Sequence, residues 1–377
     1  MLRYMTSGES HGKGLLAIVD GVPAGLKLDE KAINKDLARR MFGYGRGGRM
    51  SIEKDKIELI SGTRKGRTIG SPVGMLIKNK DYKIEKLPPV KDPRPGHADL
   101  AGILKYGFDD ARNVLERASA RETAARVAAG GVAKLILKEF GIKVVSHIKM
   151  IGGIEAFTAG MTVDEIEKLA ESPKSKVRCA DREAEKLMCE AIDEAKADGD
   201  TLGGMFEVLA EGVPVGLGSY VQWDKRIDGA ITRALVSIPA VKAVEIGNGI
   251  DCAYLRGSDT HDPIHYDKSS KIYVRESNNA GGIEGGMTNG SIVVVKGYMK
   301  PIATLSDPLG TVNIKTKARS KAATERSDVS AVAACGVVGE AVVAIELASF
   351  FLEKFGSDSI EEIWRNYEAY LKAIRKL

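Results

Sequence analysis

The sequence predicts an α+β fold, and three observations support that expectation. Candidate strands and helices alternate irregularly along the 377 residues, without the strand–helix repeat of a doubly wound sheet. Two long stretches, 122–140 (ETAARVAAGGVAKLILKEF) and Val329–Glu353, combine helical length with many Ala, Gly and Val residues, small enough for a helix to lie close against its neighbours. No change of composition marks a linker, although the length alone would allow two or three domains.

Taken in order, the elements each have a local reason. Residues 14–19 (GLLAIV) read as a buried strand, closed by the Pro23-Ala24-Gly25 turn. Asp29 can cap a helix whose Ile33, Leu37 and Met41 recur every four positions. Residues 56–60 alternate as a half-buried strand, and Pro88, Pro89, Pro93 and Pro95 stiffen a loop ending in RPGHAD (94–99). Ser119 to Glu122 spell the capping box S-x-x-E at the head of the first small-residue helix. His147 lies in the strand-like run VVSHIKM and is expected at the surface. Residues 160–200 are charge-rich and helical, expected as a solvated outer face, with Thr162 to Glu165 capping the first helix. Strands are expected near 204–210, 240–246 and 291–296, then the second small-residue helix, then an amphipathic rim helix from about Ser359.

Composition narrows the function classes. Hydrophobic residues at 44% and charged residues at 28% describe a globular chain rather than a disordered or membrane one. The net charge of +5 is too mild to mark a polyanion-binding surface, and aromatics at 6% supply no base-stacking platform, so no nucleic-acid partner is expected. No run of about 18 uncharged apolar residues occurs, and MLRYMTSGESHG has no signal-peptide character, so no membrane partner is expected. Cys179, Cys189, Cys252 and Cys335 stand far apart without a CxxC pair, which suits a reducing, cytoplasmic compartment.

The strongest chemical signal is Arg39, Arg40, Arg46 and Arg49, set among Gly43, Gly45, Gly47 and Gly48 with no acid between Leu37 and Ile52. Guanidinium forks match phosphate and carboxylate geometry, and glycines let backbone approach a ligand, so the segment reads as a pocket for a small, highly charged anion. The plainer readings are a solvated basic loop or a weak RGG-type RNA contact. Arg117 and Arg121 flank Ser119, whose helix start offers free N–H groups, a phosphate seat or simply a well-capped helix. His11, in GESHG, and His97 sit in conformationally restricted loops and could transfer protons, though lone loop histidines are commonly just exposed. His261 and His265 have metal-like spacing, but Pro263 breaks the helix that would align them, and no metal is expected. Gly12 to Ala17 fits G-x-G-x-x-A, yet it follows a polar segment and opens a strand-like run, against a dinucleotide site. Asp328 could cap the following helix or be a carboxylate held beside an arginine.

In chain order, GESHG (8–12), VDGVPAG (19–25), the arginine loop (39–53), RPGHAD (94–99), RASARETAARVAAG (117–130), GDTLGG (199–204), SIPAVKAVEIG (237–247), NNAGGIEGG (278–286), KPIAT (300–304) and RSDVSAVAACGVVGEA (326–341) resemble the chorismate synthase family. The likeness runs through most of the chain. It implies a single domain over residues 1–377: a β-α-β sandwich, helices between two antiparallel four-stranded sheets, assembled as a homotetramer. It implies 1,4-anti elimination of phosphate and a C6 hydrogen from 5-enolpyruvylshikimate 3-phosphate, giving chorismate with reduced FMN and no net redox change. By the same resemblance Arg40, Arg46, Arg49, Arg94 and Arg121 hold the substrate's anions, with Arg40 and Arg46 also candidates for NADPH as reductant. Arg117, Ala118, Ser119, Pro239, Ala240, Gly285, Lys300, Pro301, Ile302, Ala303, Thr304 and Arg326 are implied to contact FMN. Pro239 stands where relatives often carry a polar residue, so a backbone contact is expected there. His97 is implied to protonate departing phosphate, His11 to protonate or steady the flavin, and Asp328, with Ser119 as a candidate helper, to keep its N5 ready for hydrogen. The chain's length suits the monofunctional type, supplied by an external flavin reductase.

Overall fold

The computed structural model describes residues 2–48, 53–269, 271–325 and 328–376. It is an α+β structure with two main antiparallel sheets. In the first, the strands stand in the order Arg3–Ser7, Gly14–Asp20, Val73–Lys78, Ile57–Ser61. Leu15, Ala17 and Val19 face inward and are buried, while Leu16 and Ile18 are exposed, as a period of two requires. The second sheet runs Val241–Ile246, Val293–Met299, Gly204–Glu211, Lys143–Ile151, Ile154–Glu155. It therefore has five strands where the resemblance implies four. The extra one is a two-residue return made possible by Gly152 and Gly153, whose φ of 60° and 83° suit a tight hairpin turn.

Two helices, Thr123–Glu139 and Val332–Phe355, pack on each other between these sheets. The first lies on Arg3–Ser7 and Gly14–Asp20; the second lies on Lys143–Ile151 and Gly204–Glu211. Their small-residue composition is a packing requirement: a Cβ built on Gly130 would stand 2.4 Å from the Ala341 Cβ. By length and composition Val332–Phe355 could cross a membrane, but 83% of its apolar window is buried inside the protein. At its middle, Glu340 meets Arg39, Lys134 and Ser146.

Local signals mostly place the elements. Asp29 caps Glu30–Met41, Thr162 and Glu165 form a complete capping box on Val163–Ala170, and Ser359 caps Ile360–Ile374. Three expectations need correction. His147 is fully buried, not exposed; it stands opposite Glu207, with ring Nε2 2.9 Å from that carboxylate. The 160–200 segment is not simply a solvated face, because Val163 and Ile166 cover Val145 and Leu209 on the outer side of the second sheet. Ser119 does not complete a capping box: it caps a 3₁₀ turn over Ala120–Glu122, and Glu122 pairs with Arg126 one turn on instead. Gly12 to Ala17 leads into a strand rather than a helix, and His265 lies on the strand Ile264–Asp267.

Candidate active site

A cavity of about 670 Å³ opens where the first small-residue helix begins and where several loops meet. It is lined by His11, Arg40, Arg46, Arg94, His97, Ala118, Ser119, Arg121, Pro239, Ala240, Lys300, Pro301, Ile302, Ala303, Thr304 and Asp328, all singled out in the sequence. Arg117 is not among the lining residues: its guanidinium donates to the carbonyls of Gly8 and Thr6 and to Thr6 Oγ1, bracing the segment ahead of His11. Gly285 is also not among them; it sits at a hairpin turn with φ 56°. Arg49 and Arg326 lie outside the described residues.

Each cationic side chain is held by a named partner. Arg40, in the last turn of Glu30–Met41, donates from Nε to Thr123 Oγ1 (2.9 Å) and from Nη2 to the Ala120 carbonyl (2.8 Å). Its buried Nη1 has no hydrogen-bond partner among the described residues and lies 3.7 Å from Asp55. Burial pushes its pKa down to about 10, with Asp55 opposing and Arg121 and Arg46 adding to the fall. Arg121 donates to Asp55 at 2.6 Å and twice to Asn79 Oδ1, at 3.0 and 2.8 Å. Arg94 donates to Asp99 and to Thr304 Oγ1, and Lys300 Nζ to the Gly96 carbonyl. Asp328 does not cap the long helix, which starts at Val332; it accepts from the Gly47 N–H at 2.6 Å and lies 3.2 Å from Arg46 Nη1. The reading of a carboxylate beside an arginine is therefore the one realised, with Arg46.

Both imidazoles are paired with carboxylates. His11 Nδ1 lies 2.9 Å from Glu116 Oε1, and His97 Nδ1 lies 2.5 Å from Asp99 Oδ1. Burial alone would raise both acids. Hydrogen bonds from His11 outweigh it at Glu116 and hold that carboxyl below its usual range. Hydrogen bonds from His97 and Arg94 hold Asp99 well below its own. Ala240 adopts φ 70°, a left-handed conformation that costs a non-glycine residue about 1–2 kcal/mol. Its carbonyl accepts the Lys300 N–H at 2.9 Å, tying the Pro239-Ala240 turn to the 300–304 segment.

The partners were less legible than the residues they hold. Asp55, Asn79 and Glu116 carry no pattern that singles them out, and Asp81, Lys83 and Glu325 also line the cavity. Asp99 alone had a signal, since it closes the RPGHAD segment two residues after His97.

A pocket that gathers buried guanidiniums and two carboxylate-held imidazoles belongs to the class of sites that can bind a small polyanion and exchange protons with it. A family model described as chorismate synthase matches residues 2–352. The chorismate synthase of Solibacter usitatus (strain Ellin6076) is 51% identical, covering 100% of both chains, and that of Alkaliphilus metalliredigens (strain QYMF) is 52% identical over 98% of this chain and 99% of its own. A solved chorismate synthase crystal structure matches with TM-score 0.79 and 42% identity, covering 100% of this chain and 99% of that one. This chain belongs to the chorismate synthase family, lyases of the last shikimate-pathway step.

Proposed function

We propose that this chain removes phosphate and the C6 hydrogen from 5-enolpyruvylshikimate 3-phosphate by 1,4-anti elimination, yielding chorismate, with reduced FMN and no net redox change. The observation that carries this reading is the convergence of Arg40, Arg46, Arg94, Arg121, His11 and His97, from distant segments, on one cavity. The substrate has a phosphate and two carboxylates, and such a charge inside a low-dielectric pocket needs several fixed cations.

The residues also fit a flavin phosphate and ring. Arg40 lines the cavity, and among the described residues its buried Nη1 donor has no hydrogen-bond partner. Pro239, Ala240, Met299, Pro301, Ile302 and Ala303 give the same cavity an apolar side. Reduced FMN, when bound, supplies electron density for loss of the allylic phosphate and an acceptor for the C6 hydrogen. The chain's own residues do the rest. Arg40, Arg46, Arg94 and Arg121, with Arg49 assigned by resemblance, bind and orient the anions. His97 donates a proton to the departing phosphate while Asp99 holds its Nδ1. By resemblance His11 would offer a proton toward the flavin, and Asp328, which orders the Arg46–Gly47 loop, would keep the hydrogen acceptor ready. Arg117, Gly285 and Arg326 belong to the flavin side by resemblance, and Arg40 and Arg46 are candidates for NADPH. We read the two sheets and paired helices as the family's sandwich in one domain, assembled as a cytoplasmic homotetramer and supplied by an external flavin reductase.

The test is anaerobic phosphate release from the enolpyruvyl substrate, with and without reduced FMN. Release that requires the reduced flavin supports the reading; release of equal rate without it, or none with it, overturns the reading.

A further inference from the structure

We propose that Glu116 is the positioning residue for His11: it fixes the ring as the Nδ1–H tautomer, leaving Nε2 as the atom that exchanges a proton in the cavity. The inference deepens the functional reading above and rests on it for its kinetic arm.

One buried carboxylate grips His11 twice. Glu116 Oε2 accepts the His11 backbone N–H at 2.8 Å, and ring Nδ1 stands 2.9 and 3.2 Å from the two oxygens. A third bond ties the same pair of segments, from the Ser10 N–H to the Glu116 carbonyl at 2.9 Å. An ionised carboxylate can only accept, so Nδ1 must carry the hydrogen. Holding both the peptide and the ring leaves the side chain little rotational freedom. Nε2 has no protein partner among the described residues, and His11 lines the cavity.

Glu116 is itself anchored. It projects from the Arg112–Ala118 helix, and Arg112 Nη1 lies 3.5 Å from its Oε1 and 2.9 Å from Glu325 Oε1. The carboxyl stays below its usual pKa range, consistent with an anion facing the ring. His97 has a carboxylate of its own in Asp99, but Arg94 Nη2 also lies 3.1 and 3.4 Å from its two ring nitrogens. Of the two cavity imidazoles, His11 is the one whose carboxylate acts on the ring without a guanidinium against it among the described residues.

The other charges around His11 are mostly cationic. Lys83, whose backbone N–H donates to the His11 carbonyl, comes from the segment after the Val73–Lys78 strand and is paired with Asp81. Glu9 shares the loop, Arg112 and Glu325 stand behind Glu116, and Arg40, Arg46, Arg94, Arg121, Lys300 and Asp328 share the cavity. Glu116 is the carboxylate in contact with the ring. Removing its charge takes away the acceptor that fixes the ring's hydrogen on Nδ1.

The test uses the full-length chain without flavin, histidine-labelled with ¹⁵N and ¹³C, with His11→Gln to assign the signal. In the unaltered protein, neutral His11 should show a protonated Nδ1 and a bare Nε2. In Glu116→Gln the His11 ring should become a tautomer mixture, while the His97 signal stays in place. With reduced FMN and the enolpyruvyl substrate, kcat should fall about 10–100-fold while KM stays close to its original value. A His11 ring protonated at Nε2 in the unaltered protein overturns the proposal, whether or not the variant folds. So does a folded Glu116→Gln whose His11 tautomer is unchanged, or whose kcat is. If the unaltered enzyme releases no phosphate, the functional reading fails, yet the ring measurement still decides what Glu116 does.

Discussion

Replacing Glu340 by Gln tests what holds the cavity's framework together. Glu340 is 1% exposed, in the middle of the Val332–Phe355 helix. Arg39 donates to it through two nitrogens at 2.8 Å, Ser146 Oγ donates at 2.8 Å, and Lys134 Nζ is in contact. Asp36 and Glu171 complete the cluster, with Arg178 paired to Glu171. Three cations therefore meet three carboxylates, and the substitution leaves one buried positive charge without compensation. Burial would push the Glu340 carboxyl up; Arg39 and Lys134 overcome it and hold the group well below its usual range. Leaving a buried ion uncompensated costs about 3–5 kcal/mol, and a Gln amide also turns donors toward donors. Because Arg39 precedes Arg40 on one helix, the loosening should reach the cavity. Urea unfolding of Glu340→Gln should show that loss as a lower midpoint at unchanged slope. A midpoint change worth less than about 1 kcal/mol would refute the view that this cluster is balanced and desolvated.

Three further outcomes are expected. His97→Ala should lower kcat about 10²–10⁴-fold, the usual contribution of a general acid, while substrate still binds; normal turnover in a phosphate-release assay would remove His97 from its role. Gly130→Ala should destabilise by about 1–3 kcal/mol through overpacking, because the new Cβ would stand 2.4 Å from that of Ala341; an unchanged melting temperature would mean that the helix pair separates easily. Asp99 and Glu116 have lowered pKa values in the folded chain. Their stabilisation is complete above the unfolded carboxylate values near pH 4 and lost as pH falls through the folded ones. Acid unfolding of Asp99→Asn should therefore show a shallower dependence on pH below about 4 than the unaltered chain, and identical slopes would contradict the pairing with His97 and Arg94.

Much of the candidate site was legible because the residues that line the cavity are chemically conspicuous. An arginine run without acids, two loop histidines and a tied KPIAT segment stand out in any reading of this chain, and the fold gathers them. The errors fell where one segment's surroundings come from another. His147 looked exposed because its own strand is polar at that point, and Glu207 and the rest of the sheet decide otherwise. Ser119 looked like a capping-box residue because Glu122 is correctly spaced, but Arg126 competes for that carboxylate. Asp328 could be a helix cap or a carboxylate beside an arginine, and the Gly47 amide and Arg46, from a distant segment, realise the second.

Helix starts, strand periods and the small-residue helices were set by the amino-acid order alone, since caps and alternation act within a turn or a few residues, as at Asp29, Thr162 and Ser359. Which carboxylate or amide steadies which cation or imidazole was decided only by tertiary structure. His11 meets Glu116 across 105 residues, Arg40 meets Thr123 across 83, and Arg94 meets Thr304 across 210. Such pairings follow from how the sheets and paired helices pack, and charge interactions of this kind depend on burial and a few ångströms of distance, neither of which is written in any one stretch of the chain.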